Sequence, residues 1–352
     1  MSEQKESPMP TMQDVARHAG VALSTVSYAI NGTRPISEET RQRIFAAMEE
    51  LGYRPNVLAR GLASKRSRII ALLLPAAKRG LGLTELEFVM SVTEVAREHG
   101  YHLVLWSTEI RDAHELKQLM QQGLVDGVIV MEIHEHDERV DLLRRIQFPF
   151  TMIGRSADNQ GINHVDIDFG QTMTVVVDHL ANLGHTHIAF LNHAEEEYEA
   201  GYGPAVRAQH RFLQSVAARG LEGITRFCEA DAEDGYTAVN NLLTIDPDLT
   251  AIIVMNDRII PGILRAITDR GWKIPDDFSI VATVSSARIA EMTNPTITTA
   301  EAPAKELGRL GTEMLIQYLE GEKKAFSEVL IPCKLVIRES SGVCPQERAG
   351  SV

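Results

Sequence analysis

The first feature with recognisable chemistry is a run of small hydrogen-bonding side chains near the N-terminus. The segment LSTVSYAIN contains Ser24, Thr25, Ser27, Tyr28 and Asn31. Hydroxyl and amide groups of this kind bind phosphate oxygens and the edges of bases, whereas a helix with a purely structural role favours Glu, Lys and Ala. The segment therefore favours contact with a nucleic acid over a simple helical hairpin.

The distribution of charge is compatible with that chemistry. The chain of 352 residues has a formal net charge of −13, which as a whole would repel DNA. Residues 1–68, however, hold ten Lys and Arg against seven Asp and Glu, so the acidic excess lies in residues 69–352. We expect a mildly basic head on an acidic body, with a chance asymmetry of a few charges as the alternative.

Three short helices are predicted to position the hydrogen-bonding side chains. Thr11 can cap a first helix, MQDVARHA, and a second helix, LSTVSYAI, follows almost at once. A small Ala16, a turn at Gly20 and an apolar Val26 are the combination that two steeply crossing helices require. Ser37 can cap a third helix. This pattern predicts a helix-turn-helix whose second helix offers its N-terminal side chains to a major groove.

A basic linker, YRPNVLARGLASKRSR, follows the three helices. Asn56 can cap a short helix that is marginal on its own, so the linker fits either a hinge that folds on DNA or a flexible tether. Leu62 favours the hinge, because an apolar side chain on a basic linker can wedge into a base step of the minor groove.

The stretch from TMQDVARHAGVALSTVSYAING to VLARGLASKRS resembles the DNA-binding head and hinge helix of the LacI/GalR family of bacterial transcription regulators over its whole length. The resemblance implies base contacts in the major groove by Leu23, Ser24 and Tyr28. It implies phosphate contacts by Thr11, Thr25, Ser27, Asn31, Ser37 and Thr40. It implies minor-groove contacts by Asn56, Ala59 and Leu62, with the leucine as the paired wedge of a dimer.

Two positions deserve comparison with the family pattern. Ala22 stands where the family usually has a Ser or Thr that caps the recognition helix, and the missing cap should cost about 1 kcal/mol. Tyr28 occupies a position that varies between operator specificities in the family. A tyrosine cannot make the bidentate guanine contact that an arginine makes.

From Ile69 onward, short runs that are apolar at every position alternate with longer amphipathic segments. The apolar runs are IIALLL, HLVLW, DGVIVM, FTMI, HIAFL, AIIVM and FSIVATV, with helices expected near 84–99, 112–122, 137–146, 205–219 and 257–270. Such runs are typical of parallel strands covered by helices. We predict an α/β fold, a helix-turn-helix head followed by two doubly wound parallel-sheet subdomains with a cleft between them. Segments such as LANLGHTHIAFL also resemble the family, which implies a periplasmic-binding-protein-like body.

The predicted organisation has five parts. They are a disordered N-terminus (1–10), the helix-turn-helix head (11–54), the hinge helix and linker (55–68), an effector-binding and dimerisation domain (69–343) and a tail (344–352). Within that domain, the first subdomain is expected at about 69–168 plus 296–324, and the second at about 169–295 plus 325–343.

Candidate effector-binding residues follow from the position of ligands at the carboxyl ends of strands in open α/β sheets. They are Arg155, Asp168, Tyr202, Arg207, Asn256 and Asp257. Both aspartates precede a helix, so helix capping is the alternative role for each. Arg207 resembles the effector-clamping arginine of the family, although the pattern downstream aligns that arginine with Ala208.

The segment IVATVSSAR departs from the family at the effector site. Val284 and Ser285 stand where the family typically has two acidic residues, so an effector hydroxyl or amine would lack a carboxylate partner there. A sugar is the most frequent effector of the family, but this departure leaves the effector class open.

Other potential sites are weak. Cys228, Cys333 and Cys344 lack metal-ligand spacing and indicate reduced thiols in a cytoplasmic protein. HEHDE at 134–138 lacks a third ligand at a fitting spacing, so it predicts a solvated loop and no metal site. No cofactor, signal peptide or membrane span is expected.

The favoured function is an effector-controlled transcription factor, expected to be a repressor. Two heads of a homodimer would bind a pseudo-palindromic operator in double-stranded DNA, and a small molecule closing the cleft would change the hinges. The alternative is a cytoplasmic small-molecule-binding protein, or an α/β enzyme, with a degenerate head. The sequence contains no nucleophile elbow, phosphate loop or paired catalytic carboxylates, which disfavours an enzyme.

Overall fold

The computed structural model describes residues 10–31, 34–54, 66–75, 80–106, 116–118, 120, 122–322 and 326–345. The chain divides into two units, of which the first extends to Arg68 and includes Gly123–Asp126. The second unit comprises Ile69–Gln122 and Gly127–Val352. Nearly all of the predicted N-terminal segment, most of the predicted hinge and most of the predicted tail lie outside the described residues.

The first unit contains the three predicted helices, α1 (Met12–Ala19), α2 (Leu23–Asn31) and α3 (Glu38–Leu51). A reciprocal capping box starts α1, in which the Thr11 amide donates to Asp14 Oδ2 at 2.9 Å. Gly20 ends α1 in the left-handed region, with a φ of 66°. The carbonyl of Ala22 accepts the amides of Thr25 and Val26 at 2.9 and 3.2 Å, so this alanine starts α2 without a side-chain cap.

One small apolar core holds these helices together. It consists of Val15, Ala16, Val26, Ala29, Ile44, Ala47 and Met48. Ala16 and Val26 are the two positions whose types the steep helix crossing requires, and both are buried in this core. The helix-turn-helix prediction is confirmed.

Two six-stranded sheets form the second unit. The first sheet has the order β11-β5-β4-β3-β1-β2 and is parallel throughout. Its strands are β1 (Ile69–Leu73), β2 (His102–Trp106), β3 (Gly127–Met131), β4 (Phe150–Ile153), β5 (His164–Ile167) and β11 (Glu328–Ile331).

The second sheet has the order β12-β10-β9-β8-β6-β7, and only β12 runs antiparallel. Its strands are β6 (His187–Asn192), β7 (Glu222–Phe227), β8 (Ala251–Val254), β9 (Ser279–Ser285), β10 (Thr298–Glu301) and β12 (Lys334–Val336). The two doubly wound parallel-sheet subdomains of the prediction are therefore confirmed.

Helices cover the faces of both sheets. In chain order they are α4 (Leu83–Glu98), α5 (Glu138–Arg145), α6 (Phe169–Asn182), α7 (Glu195–Glu199), α8 (Gly203–Arg219), α9 (Ala232–Ile245), α10 (Ile260–Asp269), α11 (Ala287–Glu291) and α12 (Ala304–Leu319). A 3-10 turn, Asp257–Ile259, precedes α10. None of the helices in the described ranges has the length and apolar character that a membrane crossing would need.

The predicted subdomain boundaries need correction at the C-terminal crossovers. The prediction places residues 296–324 in the first subdomain, which holds for α12, but β10 pairs with β9 in the second sheet. Residues 325–343 were assigned to the second subdomain, but β11 pairs with β5 in the first sheet. The chain therefore crosses after β10, when α12 packs against α4 of the first subdomain, and again between β11 and β12.

Several elements were not predicted, and the reasons are physical. Strand β5, HVDI, is buried at every position but contains His164 and Asp166, which break the apolar run. Strand β7, EGITRF, is an edge strand with no buried position, so it lacks a continuous apolar signature. Most of the predicted helix near 112–122 lies outside the described residues.

Candidate functional site

The exposed face of α2 carries the residues that are predicted to contact bases. Val26 and Ala29 face the core, whereas Leu23 is 47% exposed and Ser24 is also exposed. Tyr28 lies one turn after Ser24 and shares its face because residues four apart are neighbours on a helix. No charged side chain occurs in α2, so this face offers hydroxyl groups and apolar surface.

The residues predicted to bind phosphate lie near helix starts. Thr11 caps α1, and the Ser37 hydroxyl accepts from the Thr40 amide at 3.3 Å at the start of α3. Free amides and the helix dipole favour anions at such positions. Thr25 and Ser27 are half-buried on α2. The side chain of Asn31 and the hinge residues Asn56, Ala59 and Leu62 lie outside what the structure describes, so their roles stay predictions.

In the body, a cleft lies between the two sheets at the carboxyl ends of their strands. It contains about 930 Å³ of space, part of it open to solvent. Its polar lining consists of Thr84, Glu85, Glu132 and Asp166 from the first subdomain and His193, Tyr202, Asn256, Asp257 and Arg258 from the second. Phe88 and Phe169 contribute aromatic surface. This is the place where ligands of open α/β sheets bind.

The predicted effector residues are only partly brought together here. Tyr202, Asn256 and Asp257 line the cleft. Asp168 does not; its carboxylate accepts from the Gln171 amide at 2.9 Å and caps α6, so the capping alternative is confirmed for it. Asp166, two residues earlier, is the carboxylate that reaches the cleft, which corrects the predicted site.

Asp166 is buried between two guanidinium groups. Arg155 Nε lies 3.3 Å and Arg207 Nη2 lies 3.4 Å from its Oδ2 atom. Burial raises the pKa of Asp166, and the charges of both arginines oppose this shift. Neither arginine lines the cleft directly, so both influence the cleft only through their pairing with Asp166. Arg207, predicted as the effector clamp, also donates from Nη1 to the Arg155 carbonyl at 3.2 Å, whereas Ala208 is fully buried.

The guanidinium of Arg207 retains hydrogen-bonding capacity. Its buried Nε atom has no hydrogen-bond acceptor in the part of the chain that the structure describes, and its buried Nη2 atom has only the ion pair with Asp166. The guanidinium carbon lies 5.7 Å from the centre of the Phe169 ring, and burial lowers the pKa of Arg207. Because Arg207 does not line the cleft, its charge acts on the cleft through the pairing with Asp166.

Asp257 is held from both subdomains by hydroxyl groups. Its Oδ2 atom accepts from Thr84 Oγ1 at 3.3 Å and from Ser285 Oγ at 3.2 Å. Burial raises the pKa of Asp257, and the nearby charge of Glu85 raises it further. Ser285, which stands where the family typically has an acidic residue, thus donates to the carboxylate of Asp257 and supplies no carboxylate itself. The neighbouring Asn256 side chain accepts from the Arg258 amide at 3.2 Å and caps the turn before α10, so it combines cleft lining with capping.

Hydrogen bonds join the two subdomains on both sides of the cleft. On one side, the hydroxyl of Ser286 donates to Glu87 on α4 at 2.5 Å, beside the bond between Thr84 and Asp257. On the other side, the Gly203 amide donates to the Ile133 carbonyl at 3.0 Å. These bonds therefore link the two subdomains on both sides of the cleft. A change in the angle between the subdomains must break or replace them.

Val284 reaches the cleft through an irregularity at the end of β9. The register between β9 and β10 shifts at this point, since Ala300 pairs with Thr283 and Glu301 pairs with Ser285. Val284 is the extra residue and has a φ of 55°, which is strained for a β-branched side chain. Such strained bulges are found at functional sites, and this one aims an apolar side chain into the cleft.

The HEHDE segment is solvated only in part: His136 and Glu138 are exposed, as a solvated loop predicts, whereas Asp137 is not. Asp137 is buried, caps α5 and accepts from Arg139 Nε at 2.9 Å and from the His134 amide at 3.1 Å. Burial opposes ionisation, but these donors hold the pKa of Asp137 well below its usual range. Among the described residues, no three His, Cys, Asp or Glu side chains converge in a way that could hold a metal ion.

Sequence reasoning missed Asp166, His193 and the start of α4 with Thr84 and Glu85. The usable signal was in β5, where His164 and Asp166 alternate within a strand whose burial on both faces disfavours polar groups. A carboxylate in such a strand needs a charged partner and marks a site. For Thr84 and Glu85 no local signal exists, because α4 reaches the cleft only through the packing of the two subdomains.

A helix-turn-helix head joined to a two-subdomain body with a polar cleft defines the class of ligand-responsive DNA-binding regulators. The family model for bacterial regulatory proteins of the lacI family matches residues 11–56, and the model for the periplasmic binding protein-like domain matches residues 177–341. The HTH-type transcriptional regulator pepR1 of Lactobacillus delbrueckii subsp. lactis is 31% identical over 339 residues, which cover 94% of this chain and 97% of that protein.

Two solved structures are similar over nearly the whole chain. The lac repressor dimer bound to operator and the anti-inducer ONPF is 25% identical, with a TM-score of 0.81, and the match covers 95% of this chain and 100% of that one. The complex of the transcriptional regulator CelR with cellobiose is 25% identical, with a TM-score of 0.69 and coverages of 94% and 99%. The chain belongs to the LacI family of bacterial transcriptional regulators, with a DNA-binding head and an effector-binding domain.

Proposed function

We propose that the cleft binds a small neutral polyhydroxylated effector, a carbohydrate, and that its occupancy controls binding of an operator by the head. The observation that carries this proposal is the pairing, in one cleft, of buried and half-buried polar groups with aromatic surface. Asp166, Asp257 and Asn256 offer oxygen acceptors to ligand hydroxyls, and Phe88 and Tyr202 offer ring surface. Few precisely placed polar groups among apolar ones are what small-molecule sites require.

Different residues of the cleft would contact different parts of the effector. Asp257 would accept from a ligand hydroxyl, since the two hydroxyls that it already binds leave one oxygen available. Arg207 and Arg155 would act at the other end with Asp166. The departure at Val284 replaces a carboxylate with an apolar wall, which favours a ligand with one apolar face. The cellobiose bound by CelR is a precedent for this ligand class.

The head would bind a pseudo-palindromic operator as part of a homodimer in the cytoplasm, and the chain would act as a repressor without enzymatic activity. Bases would be contacted by Leu23, Ser24 and Tyr28. Phosphates would be contacted by Thr11, Thr25, Ser27, Asn31, Ser37 and Thr40. The minor groove would be contacted by Asn56, Ala59 and Leu62. The operator in the lac repressor complex is a precedent for this mode.

The effector proposal is tested by thermal-shift measurements of the full chain against mono- and disaccharides, nucleosides and amino acids. A saccharide should raise the melting temperature, because a ligand that binds only the folded state stabilises it. Asp257→Asn should reduce that shift, whereas the exposed control Asp269→Asn should not. A shift with nucleosides or amino acids alone would overturn the carbohydrate assignment. Conversion of the bound saccharide, followed by mass spectrometry, would contradict the absence of enzymatic activity.

The DNA proposal is tested by fluorescence anisotropy with DNA from upstream of the protein's own gene. The full chain should bind, a chain that lacks residues 1–68 should not, and a saccharide identified above should change the affinity. Leu62→Ala should weaken operator binding while leaving saccharide affinity nearly intact. Ligand binding without any DNA binding would support the alternative, a small-molecule-binding protein with a degenerate head.

A further inference from the structure

Arg34 lies outside α2 and contacts Tyr28, a residue of the proposed base-reading face. Its guanidinium carbon lies 5.2 Å from the centre of the Tyr28 ring, within the range of a cation–π contact. Arg34 is exposed, and α2 contains no charged side chain. The guanidinium therefore adds a cation to a surface of α2 that otherwise offers only hydroxyl and apolar groups.

The position of Tyr28 determines the side on which this cation lies. Tyr28 follows Ser24 by one turn on the face opposite the buried Val26 and Ala29. Because Arg34 lies over the Tyr28 ring, its guanidinium is on that same face. The chain that carries it is anchored on its C-terminal side, since Ile36 packs against the head core and Ser37 caps α3.

The other basic side chains of the head that have described partners are placed differently. Arg17 pairs with Asp14 at 3.3 Å, and His18 contacts Glu50 at 2.6 Å. The guanidinium carbon of Arg41 lies 5.9 Å from the centre of the Phe45 ring, and both residues belong to α3 and not to α2. Arg34 thus combines exposure, an aromatic support and a place beside α2.

We infer that Arg34 and Tyr28 form one composite reading element, in which the tyrosine ring holds the guanidinium so that its paired N–H donors meet a guanine in the major groove. Tyrosine alone cannot bind guanine O6 and N7 together, whereas a guanidinium fork matches that pair. The ring restricts the arginine before binding, which lowers the entropy lost on contact. Arg34 is then a specificity-determining residue, and the inference rests on the proposed contact of α2 with operator bases.

The test is selection of binding sites from a randomised operator library by the full chain and its variants. The wild-type protein should prefer guanine at one position of each half-site. Arg34→Met and Arg34→Lys should each reduce that preference by about tenfold or more, because neither offers the planar fork. Tyr28→Phe keeps the ring and should retain the preference, whereas Tyr28→Leu should lose it.

Controls separate this inference from a phosphate contact and from the proposed function. Arg41→Met removes a ring-stacked arginine of α3 and should leave the selected sequence unchanged. If Arg34→Met weakens all sequences equally and lowers the salt dependence by about one charge, Arg34 binds phosphate and the inference is overturned. If the wild-type protein enriches no sequence, the proposed operator binding itself fails. Melting curves of each variant establish that the head remains folded.

Discussion

Asp166 and Asp257 are two carboxylates of one cleft, of which the first is buried and the second half-buried, and their surroundings differ. Asp166 lies between the guanidinium groups of Arg155 and Arg207, with both nitrogens within 3.4 Å. Asp257 has two hydroxyl donors and the like charge of Glu85 nearby. The first carboxylate is part of an ion network that holds the subdomains together. The second is a charge with weak compensation, which is the kind of group that a ligand can satisfy.

The difference matters because removing one partner from a buried ion network leaves the others uncompensated. Removing a buried charge that lacks an ion partner relieves a desolvation cost instead. Opposite effects on stability are therefore expected from the same chemical change, Asp to Asn, at two positions of the same cleft.

The largest expected effect is that of Asp166→Asn. The amide relieves the desolvation that raises the pKa of Asp166, but it leaves Arg207 and Arg155 without a counter-charge. We expect the second effect to be the larger, so the free energy of unfolding should fall by about 3 kcal/mol. Urea denaturation followed by tryptophan fluorescence measures this, since both tryptophans, Trp106 and Trp272, lie in the body. The matched control is Asp168→Asn, because asparagine caps a helix as well as aspartate does. Equal small losses in both variants would mean that Asp166 carries no ion network.

The comparison also shows which features of the sequence were informative. The head was predicted in detail because its determinants are local: Thr11 and Ser37 cap the helices that follow them, and Gly20 ends the helix before it. The alternation of apolar strands and amphipathic helices likewise predicted two doubly wound sheets, because burial on both faces leaves a continuous apolar run.

The cleft could be predicted only in part, because its contacts join distant elements. Asp166 acquires its role from Arg155, which follows another strand, and from Arg207, which belongs to the other subdomain. The positions of the C-terminal crossovers were predicted wrongly for the same reason. Strands β10 and β11 are short, and the sheet that each one joins depends on its pairing partner and not on its own composition.

Asp257→Asn should have a smaller effect of opposite sign. Near neutral pH the variant should be more stable by about 1 kcal/mol, because a half-buried charge is removed while the amide oxygen still accepts from Thr84 and Ser285. The folded-state pKa of Asp257 is raised above its unfolded value, so the wild-type protein gains stability as the pH falls through the folded pKa. The advantage of the variant should therefore shrink with acidification. Urea denaturation from pH 7 to 4 measures this, with Asp269→Asn as the exposed control; a constant difference would contradict it.

Glu85→Gln should have the smallest effect, and it tests the cause of the Asp257 shift. Burial is the largest cause of the raised pKa of Asp257, and like-charge repulsion by Glu85 is the next largest. The neutral amide removes that repulsion, so the stability near pH 7 should rise by less than about 1 kcal/mol. The wild-type protein gains stability as the pH falls through the raised pKa of Asp257. In Glu85→Gln this gain should occur at a lower pH, closer to the ordinary aspartate range. Glu94→Gln, on the exposed side of the same helix, is the matched control. An unchanged pH profile in Glu85→Gln would mean that burial alone raises the pKa of Asp257 and that Glu85 has no effect on it.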